Sequence, residues 1–214
     1  MLFKRLFYFF SLKVIRKNSF VFGISDIKSF LNNSDLSTTV PEVAFAGRSN
    51  VGKSSLINKL IHNKAARVSS KPGCTRQINF YTMNNGKIRI VDLPGYGYSA
   101  ASKQDIAQYL KLIEYYLINR SNLQRVFLLI DARRGLKEID EDFVFWLIQN
   151  QISFQLILTK TDEINLDSLT LSLENIKKWM SSKGLLTYPT IAFSVYQKSG
   201  IKELRNEIAE LSRK

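Results

Sequence analysis

A glycine-rich stretch with a lysine and three serines, GRSNVGKSS at Gly47–Ser55, follows the apolar run VAFA. Its spacing satisfies G-x-x-x-x-G-K-[ST], in which glycines let backbone amides approach phosphate oxygens and the next helix points its positive end at the same anion. Lys53 would add a full charge for the β- and γ-phosphates, and Ser54 would offer a hydroxyl to Mg²⁺. The alternative is a turn that serves packing only. The predicted nucleotide-binding residues of this loop are Gly47, Arg48, Ser49, Asn50, Val51, Gly52, Lys53, Ser54 and Ser55.

The stretch VDLPG carries a second signal for a phosphate site. Asp92 ends an apolar run of strand length, where a carboxylate can hold the hydration shell of Mg²⁺, and Gly95 can offer its amide to a γ-phosphate. A simple Pro-Gly turn is the alternative interpretation. Because a phosphate loop precedes this stretch, the first interpretation is favoured.

The stretch LTKTD ends another apolar run and predicts the base of the nucleotide. Thr159, Lys160 and Asp162 fit [N/T]-K-x-D, in which the carboxylate accepts from the ring N–H and the amino group of guanine. Adenine would leave this carboxylate unmatched and forfeit charge-assisted hydrogen bonds of about 1.5–3 kcal/mol each. Lys160 would lie along the ring, and Ser194 and the Val195 amide would lie near the base. These signals predict guanine.

Apolar runs of strand length alternate with longer segments of helical period, as expected of βαβ units that build a largely parallel sheet. The predicted strands are Val43–Ala46, Ile78–Met83, Lys87–Val91, Arg125–Ile130, Phe154–Leu158 and Thr190–Phe193. The predicted helices are Lys53–His62, Gln104–Asn119, Glu138–Gln149, Leu166–Ser182 and Ile201–Ser212. The NNG sequence at Asn84–Gly86 accepts positive φ and predicts a hairpin. We expect an α/β fold with a mostly parallel six-stranded sheet, one antiparallel edge strand and helices on both faces.

The chain of 214 residues carries 31 Lys and Arg against 18 Asp and Glu, a formal net charge of +13. This excess favours a polyanionic partner, and nucleic acid is the leading candidate. The candidate basic positions are Arg133, Arg134, Lys177, Lys178, Lys183, Lys198, Lys202 and Arg205. A single cysteine, Cys74, forms no internal disulfide and fits a reducing compartment, the cytoplasm. No run approaches the roughly 18 apolar residues of a membrane span, so we expect no stable membrane insertion.

The first 40 residues differ in composition from the rest of the chain. Residues 1–17, MLFKRLFYFFSLKVIRK, are basic, aromatic and free of acidic residues, whereas residues 19–42 are polar and turn-rich. An ordered arm or added packing strand, a surface-binding arm and a targeting segment all fit the first stretch. We predict a basic arm and lead-in at 1–40 and one nucleotide-binding domain at 41–214.

From residue 41 onward the sequence resembles the EngB family (also called YihA or YsxC) of the TrmE-Era-EngA-YihA-Septin-like P-loop GTPases. The resemblance rests on PEVAFAGRSNVGKSSLIN, SSKPGCTRQINFY, VDLPGYGYS, DARRGLKEIDEDF and TKTD. It implies a Ras-like domain that binds GTP and GDP and hydrolyses GTP with Mg²⁺. It also implies a monomer that assists assembly of the large ribosomal subunit, whose precursor, ribosomal RNA and proteins, would be the partner.

The resemblance also implies individual roles. Thr75 would be the first-switch threonine that meets Mg²⁺ and the γ-phosphate, within a switch at Ala66–Asn79 that orders around GTP. Lys53, Thr75 and Gly95 would take the catalytic roles. Ser54, Thr75 and Asp92 would hold Mg²⁺, partly through water.

The sequence departs from the usual GTPase pattern at Tyr96, which stands where many GTPases carry a water-orienting glutamine. A partner could supply the missing group, or a potassium ion could. Asn50 matches the loop asparagine of potassium-activated GTPases, although asparagine also stabilises such turns by itself. We therefore expect slow turnover without a partner, and an RNA- or membrane-associated GTP-binding scaffold with negligible turnover stays open as the alternative.

Overall fold

In the computed structural model, which describes residues 19–62, 65–66, 77–97, 103–185 and 188–213, strands and helices alternate along most of the chain. The strands are β1 (Phe20–Ile24), β2 (Glu42–Gly47), β3 (Ile78–Met83), β4 (Ile88–Asp92), β5 (Leu123–Asp131), β6 (Phe154–Thr159) and β7 (Ile191–Ala192). The helices are α1 (Ile27–Leu31), α2 (Lys53–Ile61), α3 (Lys103–Asn119), α4 (Glu138–Gln149), α5 (Leu166–Ser182) and α6 (Ile201–Leu211).

The described strands form one sheet in the order β1-β3-β4-β2-β5-β6-β7. The pairs β2–β4, β2–β5, β5–β6 and β6–β7 are parallel, and β3 runs antiparallel to both of its neighbours. The predicted Ras-like α/β architecture is confirmed. The turn at Asn84–Gly86 also has the predicted form, since all three of its residues have positive φ.

The predicted strand count was wrong, because the described part of the chain contains seven strands and not six. The additional strand, β1, lies in the lead-in that the sequence marked as turn-rich. It pairs outside β3, so the strand of opposite direction is not at the edge of the sheet. Two side chains of β1 enter the core: Phe22 stacks on Phe80 with ring centroids 4.6 Å apart, and Ile24 is fully buried. In the sequence, five residues interrupted by Gly23 form too short an apolar pattern to indicate a strand among polar neighbours.

Alternate residues of the central strands enter two apolar cores, one on each face of the sheet. The first core packs under α3, α4 and α5, and the second packs under α2 and α6. Strands that are buried on both faces appear in a sequence as continuous apolar runs. This explains why β2, β5 and β6 could be predicted from the sequence. None of the helices among the described residues is long and apolar enough to cross a membrane.

A buried polar cluster fixes the amino end of β2. Glu42 is fully buried and accepts from Arg120 Nη2 (2.5 Å), from Arg120 Nε (3.1 Å) and from the hydroxyl of Tyr116 (3.1 Å). Arg89 lies 3.6 Å from the same carboxylate. This cluster ties α3 to the sheet at the end opposite the glycine-rich loop, because Glu42 begins the strand that Gly47 ends.

The carboxyl ends of the parallel strands meet at one edge of the sheet. The register sets Phe45 beside Asp92, Gly47 beside Leu129 and Asp131 beside Thr159. In open α/β sheets this edge is where ligands bind. The three sequence motifs therefore end on the same side of the molecule.

Candidate nucleotide-binding site

The glycine-rich loop has the backbone form that phosphate binding needs. Gly47 has φ +148°, and a Cβ there would lie 2.8 Å from the carbonyl oxygen of Leu129, so a side chain does not fit. Asn50 and Gly52 also have positive φ, 63° and 105°. Gly52 is the N-cap of α2 and provides no side chain to cap it. The first amides of α2 therefore receive no hydrogen bond from an N-cap side chain and can donate to a phosphate.

A buried charge pair lies beneath this loop. Lys53 is 8% exposed, and its Nζ lies 3.5 Å from the Gly47 carbonyl oxygen. Burial lowers the pKa of Lys53, and the charge of Asp92 acts against this shift. Burial raises the pKa of Asp92 to about 6, opposed by the charge of Lys53 and a hydrogen bond from the Ser54 hydroxyl. If a polyphosphate and a cation were bound together, the phosphate would favour protonated Lys53 and the cation would favour ionised Asp92.

The loop that follows Asp92 packs directly on the glycine-rich loop. The Ser49 amide donates to the Tyr96 carbonyl (3.1 Å), and the Ser49 hydroxyl donates to the Gly95 carbonyl (3.4 Å). A Cβ on Gly95 would lie 3.0 Å from the amide nitrogen of Ser49, so a side chain there would be tightly crowded. The structure thus brings together the two predicted phosphate motifs.

Tyr96 does not occupy the position of a water-orienting group. Its side chain is 8% exposed, and its hydroxyl donates to Asp140 Oδ1 at 2.8 Å. Burial, together with the nearby charge of Asp140, raises the pKa of Tyr96 well above its usual range. The phenol is therefore a neutral donor that points to α4.

The Thr159–Asp162 turn contacts the glycine-rich loop from the other side. The buried Thr159 hydroxyl donates to the Val51 carbonyl (2.7 Å). Lys160 has φ 57°, and its ammonium donates to the Asn50 carbonyl (2.8 Å) and to Asp131 Oδ2 (3.0 Å). The predicted base-reading and phosphate-binding turns are therefore joined by direct hydrogen bonds.

The turn after β7 completes this side of the site. The buried Ser194 hydroxyl donates to Asp162 Oδ1 (2.5 Å) and accepts from the amides of Tyr196 and Gln197. Its only proton is thus directed at Asp162. Val195 is half-buried, and its side chain packs against the core under α2 and α6.

Comparison with known proteins identifies the family. A family model described as "50S ribosome-binding GTPase" matches residues 42–160. The probable GTP-binding protein EngB of Wolbachia pipientis subsp. Culex pipiens (strain wPip) is 59% identical over 91% of this chain and 95% of its own length. This chain belongs to the EngB family.

Two further comparisons agree. The probable GTP-binding protein EngB of Wolbachia pipientis wMel is 57% identical over 91% of this chain and 95% of its own. The crystal structure of a probable GTP-binding protein engB is 27% identical, with a TM-score of 0.61, over 80% of this chain and 98% of that chain. The predicted EngB family and P-loop GTPase class are therefore confirmed.

P-loop GTPases generally use Mg²⁺, and the residues of this EngB protein fit the ion. The Asp92 Oδ1 atom is buried, and no described residue forms a hydrogen bond with it. A buried carboxylate oxygen of this kind needs a partner, which hydrated Mg²⁺ can supply. The hydroxyl of Ser54 in the first turn of α2, beside Ser55, lies next to the same carboxylate.

One residue that the sequence analysis missed is Asp131, at the end of β5. It accepts from Lys160 and from Arg133 Nε (2.8 Å) and Nη2 (2.6 Å). Burial acts against ionisation, but the hydrogen bonds from Arg133 and Lys160 outweigh it and lower the pKa of Asp131 to about 2. An acidic residue at the end of an apolar strand, as at Asp92, was the available signal. Arg133, a candidate for RNA binding, has its guanidinium engaged by Asp131 and Glu163.

Thr75 and most of the predicted first switch, including Cys74, lie outside the described residues. Of the predicted site residues, the structure therefore brings together the glycine-rich loop, Asp92, Gly95, the Thr159–Asp162 turn and Ser194. Thr75 stays a prediction.

Proposed function

We propose that this EngB protein binds GTP and GDP at the carboxyl edge of its sheet, hydrolyses GTP there, and acts as a nucleotide-dependent assembly factor for the large ribosomal subunit. One observation carries the proposal. Three separate turns, after β2, β4 and β6, converge and are joined by hydrogen bonds from Ser49, Thr159 and Lys160. We place the protein in the cytoplasm as a monomer.

The phosphates would lie over the glycine-rich loop. Lys53 would leave its weak 3.5 Å contact with Gly47 for the β- and γ-phosphate oxygens, because a phosphate restores the charge that burial disfavours. The Gly95 amide would donate to the γ-phosphate. Mg²⁺, when bound, would neutralise developing phosphate charge. Ser54 and Asp92 would hold it with Thr75, partly through water.

The guanine base would lie between Lys160 and the turn after β7. Asp162 would accept from the two guanine donors, and Ser194 would orient its carboxylate. Lys160 is fixed by Asn50 and Asp131, so its stem can lie flat against the ring. Because adenine cannot satisfy the carboxylate, we expect GTP to be preferred over ATP.

A ribosomal partner is supported by two observations. The matching family model is described as a 50S ribosome-binding GTPase, and the chain carries a net charge of +13. Contact with RNA phosphates by Lys and Arg would release counterions, so we expect binding to weaken steeply with salt.

A scaffold with negligible turnover is the second candidate, and the orientation of Tyr96 favours it. No glutamine follows Gly95, and the Tyr96 hydroxyl is engaged by Asp140. Hydrolysis would then need a group from the ribosomal particle or a potassium ion beside Asn50. Turnover measured with and without each of these separates the two candidates, because saturable stimulation by either supports the GTPase switch.

The experiment that tests the proposal is co-sedimentation with large ribosomal subunits in the presence of a non-hydrolysable GTP analogue or GDP. We expect association with the analogue, loss of it with GDP, and loss of the difference in Lys53→Ala. Equal association in both nucleotides would contradict a switch. Lys111→Ala, which changes an exposed lysine of α3 outside the candidate basic positions, is the control for the loss of one positive charge.

A further inference from the structure

Tyr96 is held from two directions. Its carbonyl accepts from the Ser49 amide (3.1 Å), and its backbone forms an isolated parallel bridge with Arg48. Its hydroxyl donates to Asp140 Oδ1 (2.8 Å) in the first turn of α4. One residue thus joins the glycine-rich loop, the loop after Asp92 and α4.

The partner of this phenol is itself fixed. Asp140 is 1% exposed, and its second oxygen, Oδ2, accepts from the Lys137 amide (3.1 Å). The ring of Phe143, one turn along α4, lies 5.3 Å from the Tyr96 ring. The positive charge of Arg48 also acts on both Asp140 and Tyr96. Neither member of the pair can rotate away without losing other contacts.

This arrangement bears on Gly95, the residue whose amide would meet the γ-phosphate. Gly95 directly precedes Tyr96 and lies against Ser49 so closely that a Cβ would be 3.0 Å from three of its atoms. A peptide confined between a fixed neighbour and the glycine-rich loop can hold its amide in one direction. Such preorganised donors bind a developing or full charge better than mobile ones.

We propose that Tyr96 is a positioning residue which, through its hydrogen bond to Asp140, holds the Gly95 amide for the γ-phosphate and so sets the affinity for GTP relative to that for GDP. The inference rests on the proposed function. This role explains why a tyrosine can stand where many GTPases carry a water-orienting glutamine. Its side chain would act on the γ-phosphate indirectly, by fixing the loop from the side that faces α4. GDP lacks the γ-phosphate, so its affinity should not depend on the hydrogen bond between Tyr96 and Asp140.

The test compares affinities for a non-hydrolysable GTP analogue and for GDP, measured by calorimetry on the full chain with Mg²⁺. Tyr96→Phe removes only the hydroxyl. We expect it to weaken analogue binding roughly five- to tenfold and to change GDP affinity less than about twofold. The lost bond is one hydrogen bond to a charged group, and only part of its free energy should be transmitted to the bound γ-phosphate. Asp140→Ala removes the acceptor of the same hydrogen bond, so it should produce the same selective loss.

The chain offers a matched control. Tyr116→Phe also removes a buried tyrosine hydroxyl from a buried carboxylate, that of Glu42, but at the amino end of β2. Both substitutions should lower the thermal unfolding midpoint, whereas only Tyr96→Phe should change the ratio of the two affinities. In the double variant Tyr96→Phe with Asp140→Ala, the ratio of the two affinities should change no more than in either single variant, because both substitutions remove the same bond.

An unchanged ratio in folded Tyr96→Phe, an equal loss for both nucleotides, or a matching change in Tyr116→Phe would each overturn the inference. If the unaltered protein binds neither guanine nucleotide, the proposed function itself fails. The two failures are therefore distinguishable in one set of titrations.

Discussion

Replacing Asp162 by asparagine should change the base that this EngB protein recognises. The Ser194 hydroxyl donates its only proton to Asp162 Oδ1, since its oxygen already accepts from two amides. In Asp162→Asn, Ser194 can donate only to the amide oxygen, which leaves the amide nitrogen in place of Oδ2. A nitrogen donor there opposes the guanine donors and matches the carbonyl that xanthine carries in place of the guanine amino group.

The magnitude follows from the bonds exchanged. Loss of one charge-assisted hydrogen bond of about 1.5–3 kcal/mol corresponds to GTP binding that is roughly 10- to 150-fold weaker. Competition between GTP and xanthosine triphosphate for a fluorescent nucleotide measures the change directly. Asp167→Asn, at an exposed position in the first turn of α5, makes the same charge change and should leave the preference for guanine intact. Unchanged guanine preference in well-folded Asp162→Asn would remove Asp162 from its assigned role.

Three further outcomes are expected. Asp131 has a pKa of about 2 in the folded protein, below about 3.9 in an unfolded chain. The stability it adds is therefore present above pH ~4 and lost as pH falls toward its folded pKa. Asp131→Asn should flatten that part of the acid-unfolding curve, and an unaltered curve would contradict the ion-pair account. Arg120→Ala deprives the buried Glu42 of two hydrogen bonds and should lower the free energy of unfolding in urea by about 3 kcal/mol; a change no larger than that of exposed Arg213→Ala would refute this. Asn50→Gly keeps the positive φ of the loop and should abolish stimulation of GTP hydrolysis by potassium over sodium while nucleotide affinity holds within about threefold; stimulation that survives would assign Asn50 to the turn alone.

The site was largely predictable because each motif sits where an apolar strand ends. The residues after β2, β4 and β6 needed only parallel strand order to be placed together, and that order follows from the alternation of strands and helices. Asp131 was missed although it stands in the same kind of position, because its role appears only when Lys160 and Arg133 are seen to meet it. Side-chain pairing across distant segments is not encoded in local spacing.

The partner of Tyr96 and the place of β1 were unpredictable for related reasons. Asp140 reads as one of several acidic residues in the first turn of α4, and nothing local selects it over Glu138 or Glu141. β1 has few apolar side chains in the core, so its own sequence gives a weak strand signal. Its position depends on the free edge of β3 with which it pairs. Element boundaries, in contrast, followed local signals: α4 and α5 match their predicted limits at both ends.

The pairing of β1 also determines where the preceding basic and aromatic residues join the domain. Ser19 hydrogen-bonds to Thr82 near the end of β3, whereas Asn79 at the other end lies beside Asp92. Ser19, the first described residue, therefore lies at the pole of the sheet opposite the glycine-rich loop. A partner that contacts the domain beside Ser19 would therefore leave the glycine-rich loop uncovered, so that nucleotide could exchange while the partner stayed bound.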